Sequence, residues 1–497
     1  MNKQKKLKHA CQHLSKMICL GMCLSALSVS TGWAKDDPGA QQAYPLVDTF
    51  RIDLNRDEIR NGESRYLRSV ATQAYLYQFP AFLHLRQLSE FIQGRRYMAP
   101  KETPLGGWVL VRDLSTPKTQ NVMPNVDTLY GASYVWLSKQ GPVVLSVPAI
   151  RNRYYSVALC DSWFNNFEII GTRTTGSESG NYLIVPPGWK GKKPAGIRKI
   201  VQAPTEVINL YQRIYLRQNE EIALVRNLQD KISLTPLSKW KHKDSGFAKI
   251  DDAVFRIPNL RQTSDPLKFF ELTNAYTAVS HPPPSDTSLI NLFKTAGIGP
   301  GEKLPETAYK VEAIRGGAAD AQAAINASIS DGPFRNGWRV PSRDTGSKNA
   351  NVLDRAVAQM VQIGSLPSNE AMYFTGFRDG NNQLLDGRKS YRLTFAKGQL
   401  PPVQPNGFWS LTMYNEHSFL VENPIKRYII RPDTEGLTTN PDGSLTIALQ
   451  ADEPQDVPKG NWLPAPNSSF IIALRAYLPQ QTMIKGKWFP PAILKKE

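Results

Sequence analysis

Cysteine is scarce in this chain of 497 residues, and three of its four cysteines, Cys11, Cys19 and Cys23, fall within the first 34 positions. Downstream only Cys160 remains, so no intrachain disulfide framework is available and the fold must rest on its core. Histidine is equally thin. Of six, His9 and His13 sit in the same leading stretch, and His84, His242, His281 and His417 are scattered without a pair at helical or strand spacing. That argues against a multi-histidine metal centre; an all-oxygen Ca²⁺ site stays open, and no metal site is assigned. Gly-x-Ser-x-Gly does not occur, and the glycines of residues 171–176 have neither dinucleotide nor P-loop spacing, so no cofactor is expected. Acids are the minority charge, 43 against 60 Lys and Arg, for a net charge of +17. The excess is spread along the chain, with modest clusters at 190–193 and 239–243 that read as solvated loops, and with no recognisable binding module nucleic acid is not an expected partner.

Long apolar runs are missing too. Residues 17–29 are apolar but fall short of the roughly 20 residues that a helix needs to cross a bilayer. Lys3, Lys5, Lys6 and Lys8 precede them and Gly32-Trp33-Ala34 follows, the order of a secretory signal whose cleavage leaves no stable membrane insertion. A lipoprotein would need a small residue before its cysteine, and Met22 precedes Cys23. Residues 1–34 therefore read as a signal peptide, and a large exported chain with one thiol is expected to be periplasmic or secreted.

The remainder is punctuated by 37 Pro and 34 Gly, which favours short strands over long bundles. A linker at 35–50 leads into residues 51–204, where N-terminal helices at 57–97, divided by Pro80, precede a β-domain with strands near 108–111, 129–137, 143–147, 154–159 and 182–185. Residues 205–365 form a mainly helical connecting region. It opens with an amphipathic stretch at 205–228 and includes Asp265 as N-cap before Pro266. Residues 366–497 form a C-terminal β-domain with strands near 391–395, 408–414, 445–449 and 470–478. The fold class is β-rich α+β. Residues 155–163 can be laid on 409–417 at a constant offset of 254, aromatic, Ser, apolar, small, apolar and then Asp or Asn, which points to duplication.

Several motifs resemble a known family pair. Asn125-Val126-Asp127-Thr128-Leu129-Tyr130, Asp161-Ser162-Trp163-Phe164-Asn165-Asn166, residues 171–176 and residues 182–189 are similar to the bacterial domain of unknown function 1254. Residues 408–415, Glu422-Asn423-Pro424, Arg427-Tyr428, residues 442–446 and Asn461-Trp462-Leu463-Pro464-Ala465-Pro466 look like its companion, domain of unknown function 1214. The resemblance implies two jelly-roll-like antiparallel β-domains with helical additions, and no established chemistry.

Three clusters are candidate sites. Asp161 ends an apolar strand face, with Trp163 as a stacking surface and Asn165 and Asn166 as orienting amides; the plain alternative is a turn cap. Asn125, Asp127 and Tyr130 form the second, and Asp127 converging with Asp161 would make the carboxylate pair of glycoside hydrolysis. Tyr414, Asn415 and His417 form the third, and Trp462, in a rigid loop further along the chain, reads either as lining a ligand site or as covering the end of the sandwich. The first functional reading is binding or processing of a small sugar-like or aromatic ligand near Asp161, Trp163 and Tyr414. The second is a hydrolase using Asp127, Asp161 or His417, and the third an envelope or assembly protein that self-associates through its sheets.

Overall fold

Helix α1 (Arg56–Ile92) starts at Asn55, whose side-chain oxygen accepts from the amides of Asp57 and Glu58 at 3.0 and 2.9 Å while Glu58 Oε2 accepts from the Asn55 amide at 2.9 Å, a capping box. The expected break at Pro80 does not occur, and the helix runs straight through it. Proline inside a helix costs about 3 kcal/mol. Burial offsets this, because Tyr77, Leu85, Leu88 and Phe91 belong to one large core shared with the helical middle of the chain.

The first β-unit contains β1 (Val109–Leu110), β2 (Thr128–Trp136), β3 (Val143–Val147), β4 (Tyr155–Cys160), β5 (Asn166–Gly171), β6 (Gly180–Val185), β7 (Lys199–Gln202), β8 (Val207–Tyr215) and β9 (Ser233–Pro236). They form two sheets, in the orders β1-β2-β8-β4-β5 and β7-β6-β3-β9. Leu129, Val157 and Leu210 of the larger sheet meet Val143, Leu145 and Ile184 of the smaller in a dry core. The helix expected from residue 205 is corrected here: β8 is the middle strand of the larger sheet. Its period is two, with Ile208, Leu210 and Ile214 facing that core and Tyr211, Arg213 and Tyr215 the opposite side.

Helices α2 (Ile222–Lys231), α3 (Pro266–Val279), α4 (Thr287–Lys294), α5 (Ala308–Ser330) and α6 (Val352–Val361) follow β8. Asp265 caps α3, accepting from the Leu267 amide at 3.1 Å with Pro266 in the first turn, and Asn351 caps α6 by accepting from the Asp354 amide at 2.8 Å.

The second β-unit comprises β10 (Phe334–Arg335), β11 (Trp338–Arg339), β12 (Ala371–Gly376), β13 (Tyr391–Phe395), β14 (Val403–Asn415), β15 (Ile429–Ile430), β16 (Leu445–Gln450), β17 (Trp462–Pro464), β18 (Phe470–Pro479) and β19 (Ile493–Lys495). Its sheets are β10-β11-β12-β18-β14-β15 and β17-β16-β13-β19. The two units repeat strand for strand. The run β2-β8-β4-β5 answers to β12-β18-β14-β15, and β7-β6-β3-β9 to β17-β16-β13-β19. The 254-residue offset lays β4 on β14, which hold the same place. Wholly antiparallel domains were expected, but each small sheet has one parallel pair, β6 with β7 and β16 with β17.

The outer faces of the two large sheets meet around Tyr154, Tyr215, Phe408 and Tyr477, with Tyr215 stacked on Phe408 at 3.9 Å and Phe408 on Tyr477 at 4.5 Å between centroids. The computed structural model describes residues 55–95, 100–119, 122–217, 220, 222–242, 246–341, 346 and 351–496. The signal and linker expectations lie outside the described residues. All the packing above apart from the α1 cap lies within residues 62–497.

Candidate functional site

The repeat brings the same three-strand constellation to both large sheets. In the first, Arg213 on β8 lies directly across from Tyr130 on β2 and from Ser156 on β4. In the second, Arg475 on β18 lies across from Tyr373 on β12 and Ser410 on β14. Between the sheets is a cavity of about 500 Å³, lined among others by Tyr130, Arg213, Tyr373, Arg475, Tyr477 and Asn125. Gln87 from α1 and Tyr211 close one side, joined by a hydrogen bond from the Tyr211 hydroxyl to Gln87 Oε1 at 2.9 Å.

Arg475 is fully engaged. Nη1 donates to Thr412 Oγ1 at 2.9 Å, and Nη2 donates to the Tyr414 hydroxyl at 2.7 Å and the Met123 carbonyl at 3.1 Å. Met123 adopts a left-handed φ of 46° on this wall, a costly conformation for a non-glycine residue. Arg213 is just as buried, 6% exposed, but only Nη2 is engaged, donating to the Gly364 carbonyl at 3.2 Å. Nε and Nη1 have no hydrogen-bond partner among the described residues. The repeat gives the reason: at the 254-residue offset, Thr412 answers to Ala158 and Tyr414 to Cys160, so the first copy lacks both side-chain oxygens that hold Arg475. Tyr130 and Tyr211 lie 5.1 and 5.7 Å from the Arg213 guanidinium, a cation–π setting that leaves its donors free.

Around this cation stand neutral donors. Tyr477 accepts from Asn125 Nδ2 at 2.7 Å, which leaves its own proton to give, and burial pushes Tyr373 and Tyr477 above the ordinary phenol range, keeping both protonated. Of the lining acids, Glu90 is held by Arg261 through two bonds of 2.6 and 2.9 Å, and Asp113 is paired with Arg226. The walls thus combine surplus positive charge, aromatic faces and hydroxyl donors, which suits an organic anion. Among the described residues no histidine or cysteine lines the cavity. Among the described residues no group of three or more His, Cys, Asp or Glu is arranged to hold a metal, and no helix is long and apolar enough to cross a membrane.

The structure brings together only part of what the sequence proposed. Asn125 and Tyr130 line the cavity. Asp127 lies behind it, fully buried, accepting from Ser410 Oγ at 2.8 Å, with burial raising its carboxyl pKa against the pull of Arg431 and Arg475. Tyr414 is also one layer back, donating to the Pro124 carbonyl at 2.7 Å while receiving Arg475. Asp161 holds its own turn, its Oδ1 accepting from the amides of Trp163 and Asn165 at 2.8 and 3.0 Å, and Asn165 Nδ2 donates to Oδ2 at 2.9 Å. Trp163 is packed against Tyr77 of α1, and Asn166 donates to the carbonyls of Gly346 and Ser365. Asn415 turns its own loop by accepting from the amides of His417 and Phe419, His417 is exposed, and Trp462 is buried with its indole N–H on the Gln450 carbonyl. The expected grouping of Asp161, Trp163 and Tyr414 at one ligand is therefore not formed, because the first two serve the turn and the helical core. Asp127 and Asp161 have no hydrogen-bond partner in common. The residues that sequence reasoning missed are Arg213, Tyr373, Arg475 and Tyr477.

Asp161→Asn is expected to cost about 1–3 kcal/mol of stability, since Asn165 Nδ2 keeps only its longer bond to Oδ1 at 3.2 Å and meets an amide NH2 where Oδ2 stood. Any ligand-induced rise in melting temperature should be unchanged. Thermal unfolding with and without ligand checks both.

Residues 108–236 match the family model described as a protein of unknown function, DUF1254, and residues 370–481 match that of DUF1214. A search of curated proteins finds no match. Among solved structures, the VPA0106 protein from Vibrio parahaemolyticus is similar with a TM-score of 0.68 at 19% identity, over 87% of this chain and 100% of that one. An uncharacterised protein from Burkholderia cenocepacia gives a TM-score of 0.40 at 11% identity, over 88% of this chain and 96% of that one.

Proposed function

We propose that this chain, which carries the DUF1254 and DUF1214 domains of its family pair, binds a small organic anion between its two β-units, with a carboxylate received by Arg213. One observation carries the reading: a buried guanidinium lining a cavity, with two nitrogens that have no partner among the described residues. A buried donor without an acceptor costs about 1–3 kcal/mol, and more when charged. Its repeat-equivalent Arg475 shows that the same strand position accommodates a satisfied arginine. A carboxylate supplies a charge-assisted acceptor to one of these nitrogens, in a fork that it shares with Nη2. The hydroxyls of Tyr130, Tyr373 and Tyr477 are placed to complete its shell, and their rings favour a flat or apolar body.

The test is calorimetric titration of the purified protein with benzoate and butanoate against benzamide and butanamide. The acids should bind and raise the melting temperature, and the amides, of the same shape without charge, should do neither. Equal behaviour of acid and amide, bound or unbound, would refute the reading. The hydrolase alternative gains no support from the cavity, where no histidine or cysteine is found among the described lining residues.

A further inference from the structure

The cavity is polar inside, and its exposed described lining is mostly aliphatic, interrupted by Asp113 and Arg261, each held in an ion pair. Val122, Met360, Val361 and Ile363 all line it, and they are 62%, 54%, 43% and 36% exposed. Single exposed aliphatic side chains need no explanation, but four in the exposed lining of one cavity call for one. They come from separate parts of the chain. Val122 precedes β2, Met360 and Val361 end α6, and Ile363 lies in the turn whose Gly364 carbonyl accepts from Arg213. Val109 and Val111, half-buried, continue the surface inward. The lining thus adds exposed aliphatic carbon to its buried guanidinium and phenol groups.

We infer that the ligand is a single-chain amphiphile: a carboxylate head seated on Arg213 with an unbranched alkyl chain running out over Val122, Met360, Val361 and Ile363. This rests on the anion reading above and adds the tail. A compact anion would fill the polar end and leave the aliphatic edge in water. An alkyl chain on that anion removes the edge from water at no further electrostatic cost. Helix α6 matters here because Met side chains adapt to chains of different length.

The test is a series of linear carboxylates from butanoate to decanoate, kept below their micellar concentrations and titrated into wild type, Arg213→Met and the rim variant Met360→Ser/Ile363→Ser. Affinity should rise about fourfold for each methylene covered, from the usual transfer value for a buried CH₂. The rim variant should cut the octanoate-to-butanoate ratio at least tenfold while leaving butanoate unchanged, and Arg213→Met should remove binding of both. Arg213-dependent binding with no dependence on chain length would overturn the tail and keep the anion site. Chain-length dependence that survives in Arg213→Met would place the acids elsewhere and overturn both. Since the substituted rim side chains are exposed, the double variant is expected to fold, which circular dichroism checks.

Discussion

Glu370→Ala is expected to destabilise the protein by about 3 kcal/mol, the lower end of what breaking a buried ion pair costs. Glu370 is fully buried just ahead of β12, accepting from the Tyr154 hydroxyl at 3.0 Å and from Arg173 Nε at 2.6 Å. Both partners belong to the first β-unit, so this carboxyl ties one sandwich to the other. The repeat supplies a counterpart. Asp127, just ahead of β2, accepts from Ser410 of the second unit, and the carbonyls of Asp127 and Glu370 each accept an amide, of Leu216 and Leu478, at 2.9 Å. The lower figure applies because the Arg173 side chain is 24% exposed and can return to water. Glu370→Gln should behave differently. Burial raises the Glu370 carboxyl above its reference value of 4.5 despite Arg173 and Tyr154. The folded state therefore binds this proton more tightly than the unfolded one, and the group's contribution falls as pH climbs from 4.5 through the raised value. Glutamine keeps an acceptor for Tyr154 and carries no charge to desolvate. Its stability relative to wild type should improve as pH rises across that window, while the alanine variant stays destabilised throughout. Thermal unfolding of the three proteins from pH 4 to pH 8 measures both; a glutamine variant that loses ground with rising pH would show that the pair with Arg173 outweighs the desolvation.

Much of the scaffold is legible in the sequence where one physical signal dominates. The strict alternation of Leu445, Ile447 and Leu449, the Asp265-Pro266 cap and the match of β4 to β14 all appear in the structure. β8 is not legible in the same way. Val207-Ile208 and Leu210-Tyr211 also satisfy a helical spacing, and only pairing with β2 and β4 decides for a strand. A helical pattern over residues 205–228 hides the strand face that carries Arg213. Arg475 and Tyr477 are hidden for another reason: β18 is legible as a strand, but its polar face shows as functional only when a second sheet packs over it. Asp161 drew attention as an acid closing an apolar face, and its turn amides account for it locally. A site made by two sheets meeting face to face leaves no compact motif, only polar residues at alternate positions of strands far apart in the chain.

Arg213→Met and Arg475→Met, equivalent positions of the repeat, are expected to shift stability in opposite directions. Methionine keeps most of the arginine stem and removes the charge, so packing changes little in either. At Arg475 three hydrogen bonds disappear and the Met123 carbonyl and the Tyr414 hydroxyl each lose their bond to the guanidinium, a loss of about 2–4 kcal/mol. At Arg213 the loss is one bond to the Gly364 carbonyl and the cation–π contacts with Tyr130 and Tyr211, about 2 kcal/mol together. Against it stands the release of a desolvated charge whose penalty is several kcal/mol; Arg475 carries the same penalty but has the Asp127 charge and three hydrogen bonds to offset it, whereas among the described residues no carboxylate is in direct contact with Arg213. The ligand-free Arg213→Met protein should therefore be more stable than wild type by about 1–2 kcal/mol, yet gain nothing from carboxylates that raise the melting temperature of wild type. Greater stability together with lost binding is what a residue kept for its ligand predicts. A structural arginine predicts the reverse, so matching losses in the two variants would return Arg213 to the scaffold and leave the cavity without its anchor.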